Sequence, residues 1–134
     1  MKRQEFNKEI SSLTELLRRK FPSTLTKRIE LDDKFFTETQ QFSNETLDFS
    51  YYSELERIVN TSKVQGVIKK VDVSKNKDLV ELTFPNQKFT RLNLSNNKKL
   101  ITLKVNNNQL AGLNLDQNSQ LEHLNIANNE ITGI

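Results

Sequence analysis

The chain has 134 residues, 34% of them hydrophobic, with 20 Lys/Arg against 17 Asp/Glu, a single histidine and no cysteine. This length suits one domain, and the lack of cysteine excludes disulfides, Cys-based zinc sites and cysteine nucleophiles. So low an apolar fraction would mean disorder if the apolar residues were scattered; their regular spacing implies instead a thin core repeated many times.

The first predicted element is a helix. Phe6, Ile10, Leu13, Leu17 and Phe21 fall on one helical face, with most charged residues off it. Pro22 stops the run. Residues 1–22 are therefore expected to form an amphipathic helix capping the open end of a repeat stack. A partner- or membrane-surface helix is the other reading, but nearby acids offset Arg18-Arg19-Lys20. Met1 to Phe6 lacks the apolar stretch of a secretory signal, and no run approaches the roughly 18 apolar residues of a membrane span. A cytoplasmic location without a membrane span is expected.

Residues 23–66 are expected to hold irregular early coils and loops. Ile29-x-Leu31 and Leu47-x-Phe49 alternate like irregular strands, and Leu55-x-x-Ile58 opens a degenerate coil. An insertion is expected around Asn60–Gly66, and Thr37 to Thr46 is polar and expected to be loop. Asp32-Asp33 is an acidic pair in a loop-like stretch that matches no carboxylate constellation. Regular stacking is expected from Val67.

From Ile68 onward one pattern recurs: apolar-x-x-apolar-x-apolar-x-x-Asn. It fits Ile68/Val71/Val73/Asn76, Leu79/Leu82/Phe84/Gln87 and Phe89/Leu92/Leu94/Asn97. It fits again at Leu100/Leu103/Val105/Asn108, Leu110/Leu113/Leu115/Asn118 and Leu121/Leu124/Ile126/Asn129, with another start at Ile131. The steps alternate between 11 and 10 residues, so two half-repeats make a 21-residue unit. Apolar-x-apolar is the alternation of a short strand with one buried face. The Asn sits where the chain turns inward, and its amide can bond backbone groups that no strand satisfies. Stacked coils would give one ladder of Asn76, Asn97 and Asn118 and another of Gln87, Asn108 and Asn129.

This pattern resembles the leucine-rich-repeat (LRR) family, and more narrowly its nested 21-residue type. Leu79 to Asn97, Leu100 to Asn118 and Leu121 to Ile134 carry the match, which covers about half the chain. Phe84 and Phe89 depart from the smaller aliphatics of the pattern, and Pro85 is expected to leave a ragged strand edge. The resemblance implies an LRR solenoid of short stacked parallel strands, α/β or mainly β, with residues 67–134 as its repeats and the N-terminal helix as its cap. Strands at 82–84, 103–105 and 124–126 would form one ladder, and strands at 71–73, 92–94 and 113–115 a second. One main sheet with irregular other halves is the alternative.

The resemblance also implies binding through outward strand residues. In the first ladder these are Glu81, Thr83, Thr102, Lys104, His123 and Asn125; in the second, Lys70, Asp72, Arg91, Asn93, Gly112 and Asn114. Both sets lack the aromatic anchors common in protein hot spots, so a solvated surface is the competing reading. Residues 63–104 carry ten basic and three acidic residues, and 105–134 carry three acidic and none basic. Such asymmetry can steer an acidic partner. Lys77, Lys98 and Lys99 fall at coil corners as a basic edge, without the aromatic platform of single-strand nucleic-acid binders; nucleic acid is not the expected partner. His123 has no second histidine for a metal and no nucleophile pattern, and phosphate-loop, dinucleotide and nucleophile-elbow motifs are missing.

The expectation is thus a non-enzymatic protein-interaction module, without cofactor, metal or small-molecule substrate, for a protein partner the sequence does not identify. The alternatives are a segment of a larger LRR protein with no ligand of its own, and an anion or nucleic-acid binder using the Lys-rich edge. Ile131 and Ile134 have no following coil, so end-to-end self-association through an uncapped C-terminal coil is also expected.

Overall fold

The computed structural model describes residues 10–42 and 44–132. In chain order these form α1 (Leu13–Lys20), β1 (Arg28–Leu31), α2 (Asp33–Thr39), a 3-10 turn (Gln40–Phe42), β2 (Thr46–Asp48), β3 (Arg57–Asn60), β4 (Lys70–Asp72), β5 (Glu81–Thr83), β6 (Thr102–Lys104) and β7 (His123–Asn125). The strands are short and all pair in parallel. One sheet runs β1-β3-β5-β6-β7, and a second joins β2 to β4. The chain is a repeat solenoid of stacked parallel strands with a helix at its N-terminal end.

That helix is shorter than predicted. Ser12 is extended, and its side chain accepts from the Glu15 N–H at 3.0 Å. This N-cap satisfies an otherwise orphaned donor and sets the helix start at Leu13, so a continuous helix over residues 1–22 is not formed. Phe6 lies outside the described residues. Leu13, Leu16 and Leu17 are buried, and α1 packs against β2. At its C-terminal end the Tyr52 hydroxyl donates to the Leu17 and Phe21 carbonyls at 3.2 and 2.8 Å. Burial pushes that hydroxyl's pKa up to about 12, which keeps it a donor.

The sheet starts well before Val67. Ile29, Ile58, Leu82, Leu103 and Leu124 form one inward row across the five strands. Successive members are 29, 24, 21 and 21 residues apart. The extra length of the first coil is taken up by α2 and the 3-10 turn, and that of the second by the predicted insertion after Asn60. The stretch read as polar loop from Thr37 to Thr46 is therefore corrected: Thr37 to Thr39 end a helix, and Thr46 begins β2. Thr37, Glu38, Gln40, Gln41, Asn44 and Glu45 are exposed, while Phe35, Phe36 and Thr39 are buried. Nor is Asp32-Asp33 a loop pair. Asp32 caps α2 by accepting from the Phe35 N–H at 3.0 Å. Asp33 accepts from the Ser62 hydroxyl at 2.7 Å and the Lys63 N–H at 2.9 Å, tying the insertion to the helix.

The two predicted Asn ladders both form, with different chemistry. In one, each amide donates back to the previous coil. Asn76 reaches the Phe49 and Tyr52 carbonyls, Asn97 those of Val73 and Asn76, and Asn118 those of Leu94 and Asn97, all at 2.9–3.1 Å. In the other, the side-chain oxygen also accepts: Gln87 from Ile68 N–H, Asn108 from Phe89 N–H and Asn129 from Leu110 N–H.

A third asparagine column was not predicted. Asn86, Asn107 and Asn128 adopt left-handed backbone with φ of 65, 59 and 57°, and Gly66 stands before them at 72°. Asparagine and glycine tolerate this region, whereas alanine loses roughly 1–2 kcal/mol there. Asn107→Ala should lower stability by that amount and Asn107→Gly should not, as measured by urea denaturation; equal stability of the two variants would contradict the assignment.

Pro85 does not fray its coil. The Phe84 and Asn86 N–H groups on either side donate to Lys104 and Asn106 carbonyls at 2.7 and 3.1 Å, so proline occupies the position whose N–H the ladder does not need. At the far end Leu124 is 47% exposed, because no described strand lies against the outer edge of β7.

Candidate partner-binding faces

The outward face of the main sheet carries two rows set by the strand register. One holds Arg28, Arg57, Glu81, Thr102 and His123; the other holds Glu30, Val59, Thr83, Lys104 and Asn125. Arg28, Glu30, Arg57 and Val59 were missed from sequence because β1 and β3 lie outside the regular repeat. The signals for them were the Ile29-x-Leu31 alternation and Leu55-x-x-Ile58.

Along this face the character changes. Arg57 pairs with Glu81 at 3.1 Å, Arg28 pairs with Glu30 at 3.1 Å, and the Thr83 hydroxyl donates to Glu81 at 2.8 Å. Glu81 is thus held within the face rather than left free. Toward β7, Lys104, His123 and Asn125 are exposed and Thr102 is half-buried. Lys104 and His123 make no side-chain hydrogen bond or ion pair among the described residues. Asn125 accepts from the Ala127 N–H at 3.1 Å.

The opposite side departs from the predicted second ladder. Lys70–Asp72 pairs with β2, but residues 92–94 and 113–115 form no strands. Asp72, Asn93 and Asn114 each turn a side-chain oxygen onto the backbone N–H two residues on, at Ser74, Ser95 and Asp116, at 2.8–3.0 Å. The same Asx turn closes β2 at Asp48, β4 at Asp72 and β7 at Asn125, so it shapes the bend after this stretch and does not by itself prevent pairing. These turns also mean that the three predicted display residues help shape the coil. The Ser74 hydroxyl and N–H hold the Asp72 carboxyl below the ordinary aspartate range. Lys70, Arg91 and Gly112 are exposed.

With pairing lost on this side, slots open between coils. One, of about 420 Å³, lies between β4 and residues 90–93; a second, of about 530 Å³, lies between residues 91–95 and 114–117. At the coil corners Lys77, Lys98 and Lys99 are exposed. Lys99 is not part of a free basic edge, because it pairs with Asp78 one coil back at 2.7 Å. Among the described residues no three His, Asp or Glu side chains group to hold a metal ion, and no helix is long and apolar enough to cross a membrane.

The same architecture occurs in a solved structure, described as the functional domain of InlJ from Listeria monocytogenes, which includes a cysteine ladder. The chain is 24% identical to it with a TM-score of 0.59, over 73% of this chain and 20% of that one. At that identity the likeness establishes the fold alone. This chain spans about a fifth of that protein's length, and its own ladders are built from asparagine rather than cysteine. No protein-family profile matches the chain, and no curated protein matches it.

Proposed function

We propose that the chain is a non-enzymatic protein-interaction module of the nested 21-residue LRR type, acting in the cytoplasm. The observation that carries this reading is the outward face of β5 to β7, where Thr102, Lys104, His123 and Asn125 stand at fixed spacing on a sheet whose inner row is buried up to Leu103. A rigid display of this kind binds with little ordering entropy. The 21-residue period of the asparagine ladders supports the repeat type, and the lack of cysteine accords with a reducing compartment. Glu81 and Thr83 join the face as a fixed hydrogen-bonded pair, and Lys70, Asp72, Arg91, Asn93 and Asn114 belong to the slotted side. A segment of a larger LRR protein and an anion-binding edge of Lys77 and Lys98 are the competing readings.

Quantitative affinity capture tests it. A specific partner should be lost from the double variant Lys104→Glu/His123→Ala and retained by the corner variant Lys77→Glu/Lys98→Glu. Loss with the corner variant instead, coupled to steep salt dependence, would favour the anion-binding reading. Capture indifferent to both variants would leave the sheet face idle.

The exposure of Leu124 favours a narrower second reading, self-association through the free edge of β7. Its sedimentation coefficient should rise with concentration, and Leu124→Lys should abolish the rise. A coefficient flat over the whole range would remove this reading.

A further inference from the structure

We propose that the slot between β4 and residues 90–93 binds an extended acidic peptide segment of a partner protein. The proposal deepens the protein-interaction reading by assigning a second surface and the chemistry of its occupant.

Three observations converge there. The first is the space itself, about 420 Å³, lined by Lys70, Val71, Asp72, Arg91 and Leu92 among others. The second is unpaired main chain. The N–H and C=O groups of Thr90 to Asn93 make no hydrogen bond among the described residues, and β4 pairs on one side only, with β2. Residues 112–114 on the next coil share this unpaired main chain, so it is charge that singles out this slot. An extended peptide brings the donors and acceptors that this stretch lacks, as strand addition does at other exposed edges.

Charge is the third. Lys69, Lys70 and Arg91 are exposed on this slot, and none of them has a carboxylate partner among the described residues. Lys69 donates to the neutral amide oxygen of Asn44 at 2.8 Å. The one carboxylate on this slot, Asp72, accepts from the Ser74 hydroxyl and N–H at 2.7 and 2.9 Å. Val71 and Leu92 are only half-buried between the polar groups. A strand alternating acidic and apolar side chains matches all three features: carboxylates meet Lys70 and Arg91, apolar side chains meet Val71 and Leu92, and main chain meets main chain. The neighbouring slot is lined by Asp116 as well as Arg91 and lacks this bias.

Fluorescence anisotropy with a labelled, end-blocked peptide of alternating glutamate and valine tests the assignment on the whole chain. Binding should saturate and weaken as salt is raised. The double variant Lys70→Gln/Arg91→Gln should bind at least about tenfold more weakly, while Lys77→Gln/Lys98→Gln, which removes the same charge from the coil corners, should bind as the parent does. Methylating alternate peptide nitrogens should also weaken binding about tenfold. Thermal unfolding of the two double variants should match, since all four side chains are exposed.

No saturable binding, equal loss in both double variants, or indifference to N-methylation would each overturn the proposal. So would equally tight binding of a single-stranded oligonucleotide. A peptide that adds to the β7 edge would ignore Lys70 and Arg91, which also counts against the slot. Lys104→Glu should leave peptide binding unchanged, so failure of the slot and failure of the sheet face are separately visible.

Discussion

Asn97→Ala should destabilise the chain by roughly 2–4 kcal/mol, among the largest losses available from a single polar side chain here. Asn97 is 0% exposed, and its amide donates to the Val73 carbonyl at 3.0 Å and the Asn76 carbonyl at 2.9 Å. Truncation removes two buried hydrogen bonds, worth about 0.5–1.5 kcal/mol each, and leaves a cavity, although the Val73 and Asn76 carbonyls still accept from the Asn76 and Leu79 N–H groups at 3.0 and 3.2 Å. The position is central to its ladder: Asn118 donates in turn to the Asn97 carbonyl at 2.9 Å. Asn97→Asp should be no milder, because a carboxylate has no N–H to give and burial penalises its charge. Asn129→Ala supplies the internal control. It removes a similar pair of donated bonds, to Val105 and Ile126, and the acceptor of the Leu110 N–H, from a half-buried residue, where water can replace the amide. Its loss should stay near 1 kcal/mol. Urea denaturation of the three variants reads the difference, and a loss at Asn97 no greater than at Asn129 would show that the buried ladder does not hold successive coils together.

The oxygen side of that ladder sharpens the point. Among the described residues, Asn76, Asn97 and Asn118 each carry a buried Oδ1 without a hydrogen-bond partner, whereas Gln87, Asn108 and Asn129 use both ends of their amides. The first ladder is therefore selected for its donor alone. Sequence shows identical asparagines in both half-repeats, and only coordinates reveal that one set cross-links carbonyls while the other also catches an N–H.

What the sequence made legible is whatever depends on strict periodicity. The inward row Leu82, Leu103 and Leu124 and both asparagine ladders follow from counting, because a 21-residue coil returns each residue type to the same place. Where the coil lengthens, counting fails. Ile29 and Ile58 belong to the same row, yet 29 and 24 residues separate them from their successors, so their alternation looked irregular. The same failure hid Arg57, which neutralises Glu81 on the display face. On the slotted side the pattern was intact but misleading. Asn93 and Asn114 sit at strand-like positions and make the same turn as Asp72 in β4 and Asn125 in β7, yet their stretches pair with no strand. Periodicity locates a residue within the coil; it does not say whether neighbouring coils pair through their main chains there.

The second large effect is expected at Phe84, where the regular repeat meets the inserted helix. Phe84 is 0% exposed. Its ring packs edge-on against Phe89 at 5.1 Å and against Phe36 of α2 at 6.1 Å. Val105 and Ile126 occupy the equivalent place in later coils, where no helix has to be covered. Phe84→Ala should cost about 3–5 kcal/mol through lost burial and the cavity left behind. Phe84→Leu, which restores the aliphatic character of the later coils, should recover most of that in the solenoid but lose the ring contact to α2. A double-mutant cycle between Phe36→Leu and Phe84→Leu isolates that contact, with an expected coupling of about 0.5–1.5 kcal/mol. Hydrogen exchange adds a spatial readout: Phe84→Leu should raise exchange of the Phe36 amide, which donates to the Asp32 carbonyl at 3.3 Å, before it affects Leu103 in β6. Zero coupling, or exchange rising equally at both amides, would mean that α2 is not fastened through this ring and that the long first coil is carried by β1–β3 pairing alone.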